Sequence, residues 1–368
     1  MLGDNSFGKF FKITTFGESH GKVIGVIIDG VPAGLPIDID FIQKELDQRK
    51  PGLTNLATSR KEEDSVKIIS GIFLGKATGA PICLTIENQD QISADYEKFK
   101  NVLRPSHADY SALKKYGGYA DHRGSGRFSG RITASFVMAG AIAKKLLADK
   151  GIYIFAYSKK IGNIEDENDY SHQEIQSLSK LREKSRVRAL EQKMSNSMEK
   201  LIESIKNQKD SIGGIITCIV KGIPPGIGDP IFNNLESNLS KAIFAIPAVR
   251  GIEFGAGFKA ANMKGSEHND PWIIVDNAIK TSKNDSGGII GGISIGMPLI
   301  FNIAIKPTAS IGLPQKTVNI KTMKIEVLEI KGRHDPCIVP RAVSVVEAIT
   351  AIVLVDFLMV DGLIPRSF

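Results

Sequence analysis

Apolar and polar residues alternate over residues 10–15 and an apolar run follows at 23–28, two strand signatures flanking a tight turn at 17–21. The pattern predicts strand, loop, strand. After Gly30-Val31-Pro32-Ala33-Gly34, Asp40 and Gln43 make a capping-box pattern ahead of Ile42 and Leu46. This predicts a short helix through Arg49, stopped by Pro51-Gly52. Longer helical patterns cover 131–149, 185–207, 234–244 and 340–360. The last opens with a proline and is apolar nearly all round, so it is expected inside the core.

Two pairs of segments recur in the same order. GVPAGL at 30–35 and GIPPGI at 222–227 each follow a strand-like run and precede a helical one. Gly71, Gly75, Gly79 and Pro81 match Gly288, Gly292, Gly296 and Pro298 in spacing. Such ordered likeness predicts two similar halves, about 1–150 and 212–368, joined by a charged helical insertion at about 160–210. No linker divides them, so 1–368 is expected to be one large layered domain of the α/β (α+β) class.

Composition narrows the possibilities. Of 368 residues, 42% are hydrophobic and 24% charged, which excludes disorder, and 36 glycines without a three-residue period exclude a collagen-like fibre. Cys83, Cys218 and Cys337 are far apart with apolar neighbours, which suits reduced core thiols and a cytoplasmic protein. Residues 1–12 hold no apolar run, and the stretch 342–360 is broken by Glu347 and Asp356, so neither secretion nor membrane insertion is expected. Lys and Arg number 47 against 40 Asp and Glu, an excess that suits nucleic acid or a multiply anionic small molecule. The Lys-rich part of it, 180–209, reads as a solvated helix face. Aromatics are few and do not interleave with the basic clusters, so stacking on nucleic acid lacks a platform.

Five clusters could carry chemistry. Gly17-Glu18-Ser19-His20-Gly21 fits the hydrolase G-x-S-x-G pattern, but a strand rather than a helix follows it, so it reads as a loop presenting a serine and a histidine to an anion. Arg104-Pro105-Ser106-His107 is a proline-stiffened turn before a helix. The Gly-rich run from Asp121 to Arg131 feeds another helix and carries Arg123, Arg127 and Arg131. Backbone N–H groups at such a helix start, with guanidinium forks beside them, suit an anion. Lys306-Pro307-Thr308-Ala309-Ser310 offers an ammonium and hydroxyls, and Arg333-His334-Asp335 precedes the apolar helix. No metal-ligand spacing and no ordinary nucleotide motif occurs. His172 and His268 lie in polar stretches and are expected to face solvent.

Taken together, GESHG with VIGVIIDGVP, RPSHADY, GRFSGRITASFVMAGAIAKK and GRHDPCIVPRAVSVVEA resemble the chorismate synthase family in order and spacing across nearly the whole chain. The resemblance implies a β-α-β sandwich, helices between two sheets, assembled as a homotetramer without nucleic-acid or membrane partners. It implies anti-1,4-elimination of phosphate from 5-enolpyruvylshikimate 3-phosphate, giving chorismate, the last shikimate-pathway step. It also implies a requirement for reduced FMN, with no net redox change. By motif, His20 would be an acid near the leaving phosphate, His107 would protonate or stabilise the reduced flavin, and Asp335 would assist proton transfer from substrate carbon 6 to flavin nitrogen 5.

The same resemblance implies Ser19, Arg49, Arg104, Ser129, Arg131 and Arg333 as substrate partners. For FMN it implies Arg127, Phe128, Ser129, Ala248, Gly291, Lys306, Pro307, Thr308, Ala309, Ser310 and Arg333, and for NADPH it implies Arg49. Where the family has S-S-A-R-E-T, this chain has Phe128-Ser129-Gly130-Arg131-Ile132-Thr133, losing a hydroxyl and a carboxylate. Pro247 replaces a frequent Asn, and Asn55 replaces a frequent Arg, so FMN reduction falls either to this chain with NADPH or to a separate flavin reductase. A paralogue that binds FMN without turnover is the competing reading.

Overall fold

The computed structural model describes residues 4–50, 62–89, 93–330 and 335–368. Period-two patterning builds its first sheet. Ile13 and Thr15 on the Lys12–Gly17 strand, and Ile82, Leu84 and Ile86 on Ile82–Glu87, turn to one buried face, as alternation requires. Five strands pair antiparallel in the order Ser6–Phe7, Lys12–Gly17, Val23–Asp29, Ile82–Glu87, Val66–Ser70. A second five-stranded antiparallel sheet runs Val249–Phe254, Leu299–Ile305, Gly214–Lys221, Tyr153–Ile161, Ile164–Glu165.

The helices among the described residues are α1 (Ile39–Arg49), α2 (Asp109–Tyr116), α3 (Thr133–Ala148), α4 (Ile175–Glu183), α5 (Gln192–Asn207), α6 (Leu235–Ile243), the single turn α7 (Gly265–His268) and α8 (Val339–Val360). α3 packs on the first sheet and α8 on the second, and the two helices pack on each other. Gly140 lets them meet. A Cβ built there would lie 2.4 Å from the Cβ of Ala348. α8 is long and apolar enough to cross a bilayer, but most of it is buried in the core. Its two acidic interruptions both have partners. Glu347 takes hydrogen bonds from Lys144 Nζ at 2.7 Å and Ala156 N at 2.9 Å and pairs with Arg182. Asp356 takes the backbone N–H groups of Lys9, Phe10 and Phe11 at 2.9, 2.7 and 2.9 Å.

Several expectations are corrected in detail. The strand expected from residue 10 begins at Lys12, because the preceding N–H groups are committed to Asp356. The cap of α1 is Asp38, accepting from Phe41 N at 3.0 Å. Gln43 instead reaches across to Val66 N, also at 3.0 Å. The helix expected at 185–207 starts only at Gln192, capped by Glu191, and α4 precedes it unforeseen. The charged run 180–209 is not wholly a solvated face: Arg182 is buried, and Val187, Ala189, Met198 and Ile202 join the main core. All three cysteines are free thiols, and Cys218 and Cys337 are buried. Arg333 and Asn55 lie outside the described residues.

Candidate active site

The loop between the Lys12–Gly17 and Val23–Asp29 strands carries Ser19 and His20, both buried. Asn88 holds its shape, donating from Nδ2 to Glu18 O at 3.0 Å and Gly21 O at 2.8 Å. A strand on each side makes a nucleophile elbow impossible, as the pattern implied. The Gly-rich loop presses on it from above. Gly124, at φ +55°, leaves so little room that a Cβ would sit 2.2 Å from His20 Cδ2 and 2.8 Å from Ser19 Oγ. The ring of His20 meets Tyr96 edge-on at 5.0 Å. The Ser19 hydroxyl is buried with no hydrogen-bond partner among the described residues.

Pro105 and the left-handed Ser106 (φ +58°) turn the chain so that Arg104 and His107 share one carboxylate. Asp109 accepts from Arg104 Nη2 at 2.6 Å and Nε at 2.9 Å, and Nδ1 of His107 lies 2.8 Å from it. A carboxylate only accepts, so Nδ1 carries the proton and Nε2 is left for a ligand. Burial pushes the His107 pKa down, and Arg104 and Lys306 add to this against the opposing pull of Asp109. Asp109 itself, although burial would raise it, is held far below the usual carboxylate range by His107 and Arg104.

Lys306, leaving the Leu299–Ile305 strand, donates to Ser106 O at 2.9 Å, which ties this turn to the second sheet. Thr308 donates to Asp335 O at 3.0 Å, and the Asp335 carboxylate pairs with Arg341. Ala248 beside them holds an unusual φ of +73°. These groups converge on one cleft of about 580 Å³. Its described lining holds seven cationic side chains, Arg49, Arg104, Arg127, Arg131, Arg250, Lys306 and Arg341, and a single acid, Asp335. Such a cleft suits a small molecule with several negative charges.

Most of the expected site residues meet there: His20, His107, Asp335, Arg49, Arg104, Arg127, Phe128, Ser129, Arg131, Ala248 and the run Lys306 to Ser310. Ser19 is not among the lining residues, and neither is Gly291, which sits in the hairpin turn between Ile289–Ile290 and Ile293–Ser294. Three arginines also carry internal duties. Arg49 and Arg131 both pair with buried Asp64, and Arg131 also lies 3.5 Å from Glu62. Arg127 donates to Gly17 O at 3.1 Å and Thr15 Oγ1 at 2.7 Å, clamping the Gly-rich loop to the first sheet. Ser129 caps the short turn that leads into α3, accepting from Arg131 N at 3.3 Å. Ile132, where a carboxylate was expected by resemblance, is buried in the core, and half-exposed Phe128 leans on Tyr116. Sequence reading missed Arg250, Arg341, Asp64 and Tyr96. Arg341 stands inside the quoted stretch GRHDPCIVPRAVSVVEA, a signal that could have found it. Arg250 and Tyr96 join the cleft only through the fold, and Asp64 supports it from behind through Arg49 and Arg131.

The chorismate synthase family model matches residues 11–359. The chain is 52% identical over 363 residues to the chorismate synthase of Dehalococcoides mccartyi, spanning 98% of both. It is 47% identical over 365 residues to that of Korarchaeum cryptofilum, spanning 97% of this chain and 98% of the relative. A crystal structure of a chorismate synthase is similar with TM-score 0.76 and 29% identity, covering 96% of this chain and 93% of that one.

Proposed function

The chain belongs to the chorismate synthase family, lyases of the final shikimate-pathway step, and on that premise we propose that it eliminates phosphate anti-1,4 from 5-enolpyruvylshikimate 3-phosphate with reduced FMN bound in the cleft. The observation that carries this reading is the placing of His20, His107 and Asp335 around one cavity whose described lining holds seven Lys and Arg side chains and no acid besides Asp335. A substrate with a phosphate and two carboxylates matches that balance.

The residues present fit the cofactor. Ile246, Pro247 and Ala248 give an apolar wall, while Lys306 and Arg250 give donors for a phosphate. A Cβ built on Gly130, in the turn before α3, meets nothing within 4 Å, so the cleft is open at the helix start that favours anions. Arg127, Phe128, Ser129, Ala248 and Lys306 to Ser310 would hold FMN. When bound, reduced FMN supplies electron density and a proton-accepting nitrogen.

The chain's own groups do the rest. His20 would give a proton to the departing phosphate. His107, its Nδ1–H fixed on Asp109, would hold or deliver a proton from Nε2. Asp335 would assist removal of the proton from carbon 6. Arg104, Ser129, Arg49 and Arg131 would orient the substrate anions, with the last two sharing their charge with Asp64.

We read the native state as a cytoplasmic homotetramer. The exposed apolar residues Trp272, Ile274 and Ile279 on one hairpin and Ile325 and Val327 on another support assembly. The layered arrangement of α3 and α8 between two sheets is our reading of the fold. Internal duplication is supported by the matched backbones of Gly30 and Gly222, both at φ +83°.

The test is anaerobic release of phosphate and chorismate from 5-enolpyruvylshikimate 3-phosphate with dithionite-reduced FMN, repeated with NADPH and oxidised FMN. Product with dithionite alone assigns flavin reduction to a separate reductase, and product in both arms gives this chain reductase activity with NADPH. No product in either arm, with FMN bound, refutes the proposal.

A further inference from the structure

A second cavity, of about 400 Å³, lies where the end of α1, the connection after α4 and the start of α8 come together. Only Arg341 lines both it and the first cleft. Its described lining includes Lys44, Lys50, Lys184, Arg186 and Arg188, with Glu183 the single acid. Some of this charge is neutralised: Lys50 pairs with Asp47 at 2.8 Å and Arg186 with Glu199 at 3.1 Å. The rest is not.

Arg188 stands on a left-handed backbone (φ +60°) and turns its guanidinium to Gln48, donating to the main-chain O at 2.9 Å. It makes no ion pair within 4 Å among the described residues, although Glu347, Glu45 and Glu183 act on it from farther away. Burial, with Arg182 nearby, pushes its pKa down to about 10. Arg182, itself buried, also lines the cavity and keeps its Nε–H buried without an acceptor. Lys44 and Lys184 are exposed at the rim and make no ion pair among the described residues. Gathering unpaired cations around a hollow is costly unless an anion enters it.

We propose that this cavity is a second binding site, separate from the catalytic cleft, for a small polyanion carrying phosphate groups. Arg188 is its floor, and Lys44 and Lys184 close over the charge at its mouth. The charged insertion therefore has a role beyond solubility, since it contributes Lys184 and Arg188. The proposal does not depend on the reaction assigned to the first cleft.

Inorganic pyrophosphate is the probe, at low ionic strength, with the intact protein. In equilibrium dialysis, Lys44→Gln/Lys184→Gln, which removes only exposed charges, and Arg188→Gln are each expected to weaken one class of pyrophosphate site by about tenfold or more. Lysine acetylation read by mass spectrometry gives a second measure that needs no variant. Pyrophosphate should slow modification of Lys44 and Lys184 and leave Lys200, exposed on α5, unchanged. Unaltered binding in the double-lysine variant, or protection confined to Lys306 of the first cleft, would overturn the proposal.

Discussion

Nδ1 of His107 and Nη2 of Arg104 both reach one oxygen of Asp109, at 2.8 and 2.6 Å. One carboxylate thus fixes the tautomer of the proposed acid and neutralises the arginine beside it. Removing its charge by Asp109→Asn takes away the influence that raises the His107 pKa, while burial, Arg104 and Lys306 still press it down. The imidazole pKa should fall further, readable by NMR titration of the ring, and turnover should drop roughly 100-fold. An upward shift in the variant would contradict this arrangement.

Gly124 is the contact on which the position of His20 depends. In Gly124→Ala the new Cβ would fall 2.2 Å from the imidazole at a φ of +55°, so the ring must turn away. Left-handed alanine costs about 1–2 kcal/mol. The loss of activity should exceed this, at about 100-fold or ~2.7 kcal/mol, and the comparison of kcat with a thermal melt separates the two.

Glu347 should govern resistance to acid. Burial alone would raise its pKa, but Arg182 and Lys144 hold it at about 2, below its ordinary 4.5. A depressed carboxylate stabilises fully above its unfolded value and loses that contribution as pH falls through the folded one. Glu347→Gln leaves buried Arg182 without its carboxylate, while Lys144 keeps Glu45 at 2.6 Å, at a cost of about 3 kcal/mol at pH 7. Urea unfolding should show the gap from the native protein narrowing between pH 4.5 and pH 2, and a gap independent of pH would rule this out.

The crossing of α3 and α8 depends on the absence of a side chain. Gly140→Val places atoms where a Cβ alone is already 2.4 Å from Ala348. Overpacking of this kind costs about 1–3 kcal/mol. A lowered denaturant midpoint with an unchanged slope would show the helices forced apart within an otherwise intact fold.

The loops bearing His20, His107 and Lys306 were legible because glycine and proline mark their turns and the chemistry sits beside those marks. Burial of α8 could be read from its apolar circumference. What pairs with what could not. Asp64 serves Arg49 and Arg131 from 15 and 67 residues away, and Arg341, in the first turn of α8, pairs back to Asp335 just before the helix. The start of α5 was misplaced because residues 185–191 are as polar as the helix, while their inward-facing Val187 and Ala189 obey tertiary packing rather than helical period. Ser19 stands behind His20 and Gly124 at the edge of the cleft, its buried hydroxyl without a hydrogen-bond partner among the described residues.

The bond between Asp356 and Phe11 joins groups 345 residues apart. At synthesis rates of about 5–20 residues per second, the loop before the first sheet waits tens of seconds for the helix that anchors it. Until then the early strands have α3 to pack against, but α3 lacks α8, the helix on its other side. Folding is therefore completed only after nearly all of the chain has been translated, and the apolar face that α3 turns to α8 stays open until then.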